Sequence, residues 1–281
     1  MERGNEMTKT IGILGGDARM RLLSHLLEND GYEVCTWELP EGANPAALCD
    51  AVKADTIILP VPLSKDGILN GTELPLEELW KLLRPQQKIY AGAIREEDRR
   101  SAERLGLTLV DFFSQEELTV RNAIPTAEGA MEAAMHQLPV TLHGTRCLVV
   151  GFGRIGKLLA HDLQAIGAQV TVSARKLSDL AWIDAFGYAG LHTNRLAGKL
   201  GNFRVIFNTV PQQVFDERLL CEVAPDCLLI ELSSASGFDK KAVEKLRLSY
   251  IKAGGLPGKV APETAAVAMK KTLCKLMEES V

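Results

Sequence analysis

Residues 145–167 read TRCLVVGFGRIGKLLAHDLQAIG. The apolar run CLVV leads into Gly151-Phe152-Gly153-Arg154-Ile155-Gly156, and an amphipathic helical stretch follows. A glycine triplet of this spacing is weak evidence alone. Between a strand and a helix it specifies a dinucleotide-binding turn. Gly151 permits the tight turn, Gly153 lets the backbone approach a pyrophosphate, and Gly156 lets the helix pack closely on the strand. The first N–H groups of that helix, with Arg154 and Ile155 in its opening turn, meet the phosphates with a positive dipole end.

The next strand, QVTVSARK, selects the dinucleotide. An NAD site usually closes this strand with a carboxylate for the ribose 2′-OH. Here the place holds Ser173, Ala174, Arg175 and Lys176. Two cations and a hydroxyl with no carboxylate favour NADP over NAD. Two later strands end in Asn208-Thr209-Val210-Pro211 and Glu231-Leu232-Ser233, at carboxyl edges where open α/β sheets bind ligands. Thr209, Val210, Pro211 and Ser233 are therefore expected at the cofactor.

Outward from this unit the β-α alternation continues in both directions. Upstream, strands are expected at TIGILG, YEVCTWEL, ADTIILPVP, KIYAGAI and LTLVDF. Helices are expected over 17–29, over 44–53 with Asn44 as cap, over 75–84 and over 95–106, and SKDGILNGTEL is expected to be a loop. Downstream, strands are expected near 169–173, 204–209, 227–232 and 249–252. The fold class is α/β: two Rossmann-like, doubly wound parallel-sheet domains joined by a linking helix, with a C-terminal helix packing back. The expected boundaries are 1–125 for an N-terminal substrate-side domain, 126–139 for the linking helix, 140–260 for the nucleotide domain and 261–281 for the C-terminal helix. The polar start MERGNEMTKT reads as a ragged leader without the apolar stretch of a signal peptide.

The chain has 281 residues, 46% hydrophobic and 24% charged, with a formal net charge of −4. This balance excludes intrinsic disorder and argues against a nucleic-acid partner. No apolar run is long enough to cross a bilayer. Six cysteines without a CxxC pair read as reduced, buried small hydrophobes, so no metal site and a cytoplasmic location are expected. HExxH and GxSxG motifs are absent, and the five histidines are scattered.

A substrate is expected in the cleft between the domains. Three segments are candidates to line it: Gly16-Asp17-Ala18-Arg19, the stretch from Arg121 through Thr126 to Glu128, and Gly254-Gly255-Leu256-Pro257-Gly258-Lys259. Each has a plainer reading. Asp17 fits a helix cap, Thr126 and Glu128 fit a first helical turn, and Arg19 and Lys259 fit solvated surface.

GGDAR, RNAIPTAEGA, VVGFGRIGK and GGLPGKVAPETA, in this order, resemble the dipicolinate synthase A-subunit family over nearly the whole chain. The broader architecture resembles the D-2-hydroxyacid dehydrogenases. The first resemblance implies an oxidoreductase of spore-forming bacteria, to which the end of the QVTVSARK strand adds NADP as the expected cofactor. Its reaction is a ring CH–CH dehydrogenation, with dehydration, that turns 4-hydroxy-tetrahydrodipicolinate into dipicolinic acid at a branch of lysine biosynthesis. It also implies the flavoprotein-like B-subunit of dipicolinate synthase as partner, and a homo-oligomer is expected. Two carboxylates on the substrate call for cations, for which Arg19, Arg121 and Lys259 are candidates, and Asp17 or Glu128 is the candidate proton acceptor. Gly16, Thr126, Gly254, Gly255 and Gly258 are candidate substrate contacts. Two other readings remain open: a dinucleotide-binding regulatory or scaffolding component with catalysis in a partner, and another dehydrogenase of small carboxylic acids.

Overall fold

The computed structural model describes residues 10–279; of the expected leader, residues 1–9 lie outside that range and Thr10 opens the first strand. The chain divides into two compact units, residues 1–122 with 261–281, and residues 123–260. The division falls inside a helix, between Asn122 and Ala123.

In the first unit the order is β1 (Thr10–Leu14), α1 (Ala18–Asn29), β2 (Glu33–Trp37), α2 (Leu48–Ala51) and β3 (Thr56–Ile58). A small hairpin, β4 (Ser64–Lys65) and β5 (Ile68–Leu69), leads to α3 (Leu76–Leu82), β6 (Lys88–Ala91), α4 (Glu96–Glu103) and β7 (Leu109–Asp111). The main sheet has the order β2-β1-β3-β6-β7 and every ladder is parallel. Side chains alternate across it, as a pleated strand requires. Ile11, Ile13, Ile58 and Tyr90 pack on one face, and Leu14, Ile57 and Ile89 pack on the other.

Helix α5 (Glu116–Gln137) crosses into the second unit. There follow β8 (Arg146–Val150), α6 (Arg154–Ala165), β9 (Gln169–Ala174), α7 (Leu177–Ala185), β10 (Ala189–His192), β11 (Val205–Asn208), α8 (Glu217–Leu220), β12 (Leu228–Glu231), α9 (Lys240–Lys245), β13 (Ser249–Lys252) and α10 (Leu256–Val260). The parallel sheet has the order β10-β9-β8-β11-β12-β13. Renumbered from β8, this is the 3-2-1-4-5-6 order of a dinucleotide-binding sheet. Strands β11 and β12 are buried along their whole length, as parallel central strands must be. The last helix, α11 (Pro262–Glu279), returns to the first unit and lies on α1. Its Met269, Leu273 and Met277 join Met20, Leu23 and Leu27 in one core.

Several expectations need correction. The helix expected to start near Thr126 begins ten residues earlier, at Glu116, and contains Pro125. An interior proline forfeits a helical hydrogen bond, yet Leu118, Ala123, Ala127, Ala130 and Ala134 are buried at helical spacing, and that stripe carries the helix through. The segment from Asn44 is no helix start. Asn44 has φ 44° and donates to Glu28 Oε1 and the Val34 carbonyl, while Pro45 bridges to Thr36. The expected strand over ADTIILPVP is confined to three residues, and the loop over 64–74 contains the β4-β5 hairpin. The segment 254–259, named as a candidate substrate contact, is a turn followed by α10. Strand β10 went unread, because AGLH is short and carries no apolar pattern. Cys147 and Cys227 are buried, and burial pushes both thiols up to about 12. Cys49 and Cys221 are exposed, contrary to the reading of the cysteines as buried.

Candidate functional site

The glycine turn after β8 has the geometry its sequence demands. Gly151 has φ 101°, and a Cβ there would meet Thr209 Oγ1 at 2.4 Å and Val210 Cγ2 at 2.9 Å. A Cβ at Gly156 would meet the Gly151 carbonyl oxygen at 2.1 Å, so α6 lies hard against the turn. Gly153 is the reverse case: nothing lies within 4 Å of where its Cβ would be. It is also the N-cap of α6, and no side chain caps that helix. Open space therefore sits at a helix N-terminus whose own N-cap residue has no side chain to close it, a seat that fits a pyrophosphate.

A cleft of about 880 Å³ opens from this seat, entirely within the second unit. Gly151 and Gly153 line one wall, Arg175 and Lys176 after β9 a second, and Thr209, Val210, Pro211 and Gln212 after β11 a third. It therefore lies between the first and fourth strands of the 3-2-1-4-5-6 order, where the direction of winding reverses. Thr209 Oγ1 donates to the Val150 carbonyl at 2.9 Å and ties the third wall to the glycine turn. Arg175 donates to Gln212 Oε1 at 2.9 Å, between two walls. Thr193 and Asn194, after the unread β10, line the cleft too.

Not every expected cofactor residue is there. Ser173 is fully buried and its hydroxyl accepts from Thr193 Oγ1 at 3.4 Å. Ser233 is also buried, and both its N–H and its hydroxyl donate to Glu231 Oε1, at 3.1 and 2.6 Å. Arg154 is exposed at the start of α6, Ile155 packs into the core behind it, and Gly156 serves packing.

Of the expected substrate residues, Gly16, Asp17, Arg19 and Arg121 belong to the first unit. Asp17 caps α1 by accepting from the Arg19 N–H at 3.0 Å. Arg19 is only 7% exposed and is no solvated surface residue. Its Nε and Nη2 donate to the Asp17 carboxylate, and Nη2 also donates to the Val61 carbonyl. Arg121 is exposed on α5. Thr126, Glu128, Gly254, Gly255, Gly258 and Lys259 belong to the second unit. Thr126 is buried and Glu128 exposed, both in mid-helix and not in a first turn. Next to Glu128, Gly129 brings α5 against Leu256 and Val260 of α10, where a Cβ would sit 3.1 Å from each. Gly254 and Gly255 are exposed in the turn before α10, and Lys259 is exposed on it. No cluster of metal-ligating side chains and no helix long and apolar enough to cross a membrane occurs among the described residues.

Comparison with known proteins agrees with this architecture. Residues 10–113 match the N-terminal domain of the dipicolinate synthase A-subunit, and residues 103–253 match the D-isomer specific 2-hydroxyacid dehydrogenase, NAD binding domain. The second match overturns the expectation that NADP is favoured over NAD. The geometry explains the error: of the three groups taken as a 2′-phosphate seat, the Ser173 hydroxyl is buried and Arg175 is engaged by Gln212. Lack of a carboxylate does not by itself build a phosphate site. The dipicolinate synthase A-subunit of Bacillus subtilis (strain 168) is 31% identical over 96% of both chains. The crystal structures of the dipicolinate synthase A-subunits from Bacillus halodurans and Bacillus subtilis superpose with TM-scores of 0.86 and 0.85 at 28% identity. The first covers 96% of this chain and 98% of its own, the second 97% of each. Transhydrogenase from Sinorhizobium meliloti shares the fold alone, at 13% identity and TM-score 0.69 over 96% of this chain and 94% of its own. With both sheets, the glycine turn and the full-length similarity in agreement, the chain belongs to the dipicolinate synthase A-subunit family.

Proposed function

We propose that this chain is an NAD-linked dehydrogenase that forms dipicolinate from 4-hydroxy-tetrahydrodipicolinate, working with a B-subunit. One observation carries the reading: the seat at Gly153 opens into the cleft at the switch point of a 3-2-1-4-5-6 sheet. Loss of water from the substrate gives a dihydropyridine dicarboxylate, and loss of a hydride and a proton then gives the aromatic ring. A bound oxidised nicotinamide supplies the hydride acceptor. The α6 N-terminus and the Gly153 backbone hold the pyrophosphate, and the walls at 175–176 and 209–212 fix the rest of the nucleotide. Aromatisation drives the reaction, so the chain's task is orientation and exclusion of water.

Within the first unit Arg19 and Arg121, with the Gly16 N–H, are the proposed contacts for a substrate carboxylate; within the second unit the proposed contacts are Lys259 and the backbone N–H groups at 254–258. Because Asp17 and Val61 occupy Nε and Nη2 of Arg19, its remaining edge, Nη1, is the one offered to substrate. Asp17 or Glu128 takes the proton.

The test mixes the purified chain with freshly generated 4-hydroxy-tetrahydrodipicolinate and NAD⁺, with and without the B-subunit, and follows NADH and the pyridine product. Both should form in equal amounts. Pyridine product without NADH would place the oxidation in the partner and make this protein a regulatory component.

A further inference from the structure

The turn that forms the third wall of the cleft is held by more than its own backbone. Behind it lie two polar side chains with no exposed surface, Asn208 at the end of β11 and Glu231 at the end of β12. They are register partners on adjacent strands. Asn208 Nδ2 donates to Glu231 Oε1 at 2.8 Å and to the Val210 carbonyl at 2.9 Å, and Asn208 Oδ1 accepts from the Val210 N–H at 3.3 Å. Glu231 Oε1 also accepts from Ser233, and Oε2 accepts from the Gly237 N–H at 2.5 Å. Three N–H donors thus converge on one buried carboxylate, and the single proton of the Ser233 hydroxyl is shared between it and the Ala235 carbonyl. Gly237 has to be glycine for this, because a Cβ there would lie 2.1 Å from Asn208 Nδ2. Across the ladder, Lys252 is the register partner of Glu231, and its ammonium donates to the Ser233 and Ser234 carbonyls beside the carboxylate.

A buried charge is costly, and strand β12 needs none for its own ladder. Apart from Asn208, the donors on Glu231 come from the turn at 233–237 beyond its own strand end. Through Asn208 the network reaches Val210, and Val210 with Thr209 forms the surface against which Gly151 closes. Neither Glu231 nor Asn208 lines the cleft, so both act only through the turns they hold. We propose that Glu231 is a positioning residue for the dinucleotide: through Asn208 it sets the 209–212 wall at the distance from the glycine turn that the nucleotide requires. This rests on the reading of the cleft as the NAD site.

Glu231→Gln tests it. The amide keeps the shape, but its NH₂ faces either Gly237 N–H or the donors Asn208 and Ser233, so one donor meets another whichever way it turns. The expected result is a protein that folds with a lowered Tm and binds NADH at least tenfold more weakly. With substrate and the B-subunit, KM for NAD⁺ should rise by a similar factor while kcat changes less than threefold. Val243→Ala, on the buried face of α9, lowers Tm and should leave NADH affinity unchanged, which separates positioning from general loss of stability. Asn208→Ala breaks the same link while leaving the carboxylate its other donors, and should raise the NADH Kd to a similar extent even if Glu231→Gln fails to fold. Wild-type affinity in either variant would overturn the inference alone. Failure of the wild-type chain to bind NADH at millimolar concentration would overturn the reading of the cleft, and the inference with it.

Discussion

Gly151 and Gly153 are two residues apart and do opposite physical work. At Gly151 a side chain has no room and the backbone has a positive φ, so the residue serves the fold of the turn. At Gly153 the backbone has φ −82°, which any residue adopts, and the space above it is open. Its lack of a side chain serves whatever occupies that space. Gly151→Ala should therefore lower stability by about 1–3 kcal/mol, typical of strain and overpacking, and weaken NADH binding as well. Gly153→Val should leave the urea midpoint nearly unchanged and weaken NADH binding at least tenfold, because its methyl groups fill the phosphate seat. Equal loss of stability in the two variants, read by urea unfolding beside a nucleotide titration, would contradict this division. The triplet was legible in the sequence because its spacing and flanks are local. The engagement of Arg175 by Gln212 joins residues 37 positions apart, and no local pattern announces it.

Helices and strands were legible to the extent that their own burial pattern set them. Buried β8, β11 and β12 are apolar runs, and α1 has Met20, Leu23 and Leu27 at helical spacing. Where neighbours decide, reading failed: β10 is an edge strand defined by its pairing with β9, and α10 exists where Leu256 meets Gly129 of α5. The candidate site divided in the same way. Seven of the expected cofactor residues line the cleft, while Thr193 and Asn194 were hidden with β10. The opening of α1 was read both as a helix cap and as a catalytic pair, and its geometry makes the cap concrete. Asp17 closes the first turn and neutralises Arg19, which in turn holds the Val61 carbonyl after β3. Asp17→Ala removes a cap and leaves a buried guanidinium without its counter-ion. It should cost about 2–4 kcal/mol, against about 1 kcal/mol for Asp17→Asn, which still accepts from the Arg19 N–H. Urea unfolding followed by circular dichroism distinguishes the two.

Each of the two units has its own sheet and its own core, but they differ in how the chain builds them. The second is continuous, 123–260, and contains every residue that lines the cleft at the glycine turn. The first is not complete until the chain returns, because α11 supplies Ala268, Met269, Leu273 and Met277 to the core around α1. Ion pairs from Lys270 to Asp30 and from Lys275 to Glu117 hold the same helix, but they are partly or largely exposed and add little. Burial of Met269, Leu273 and Met277 is worth about 1.5–3 kcal/mol each, a sum of the same order as the whole stability of a small domain, about 5–15 kcal/mol. A chain ending at Ala261 should therefore lose the first unit and keep the second. Limited proteolysis should cut throughout 10–115 and spare 140–260, and NADH should still bind the truncated chain with the affinity of the full-length protein. Loss of nucleotide binding on removal of α11 would mean that the cleft depends on the first unit, against the independence of the two cores.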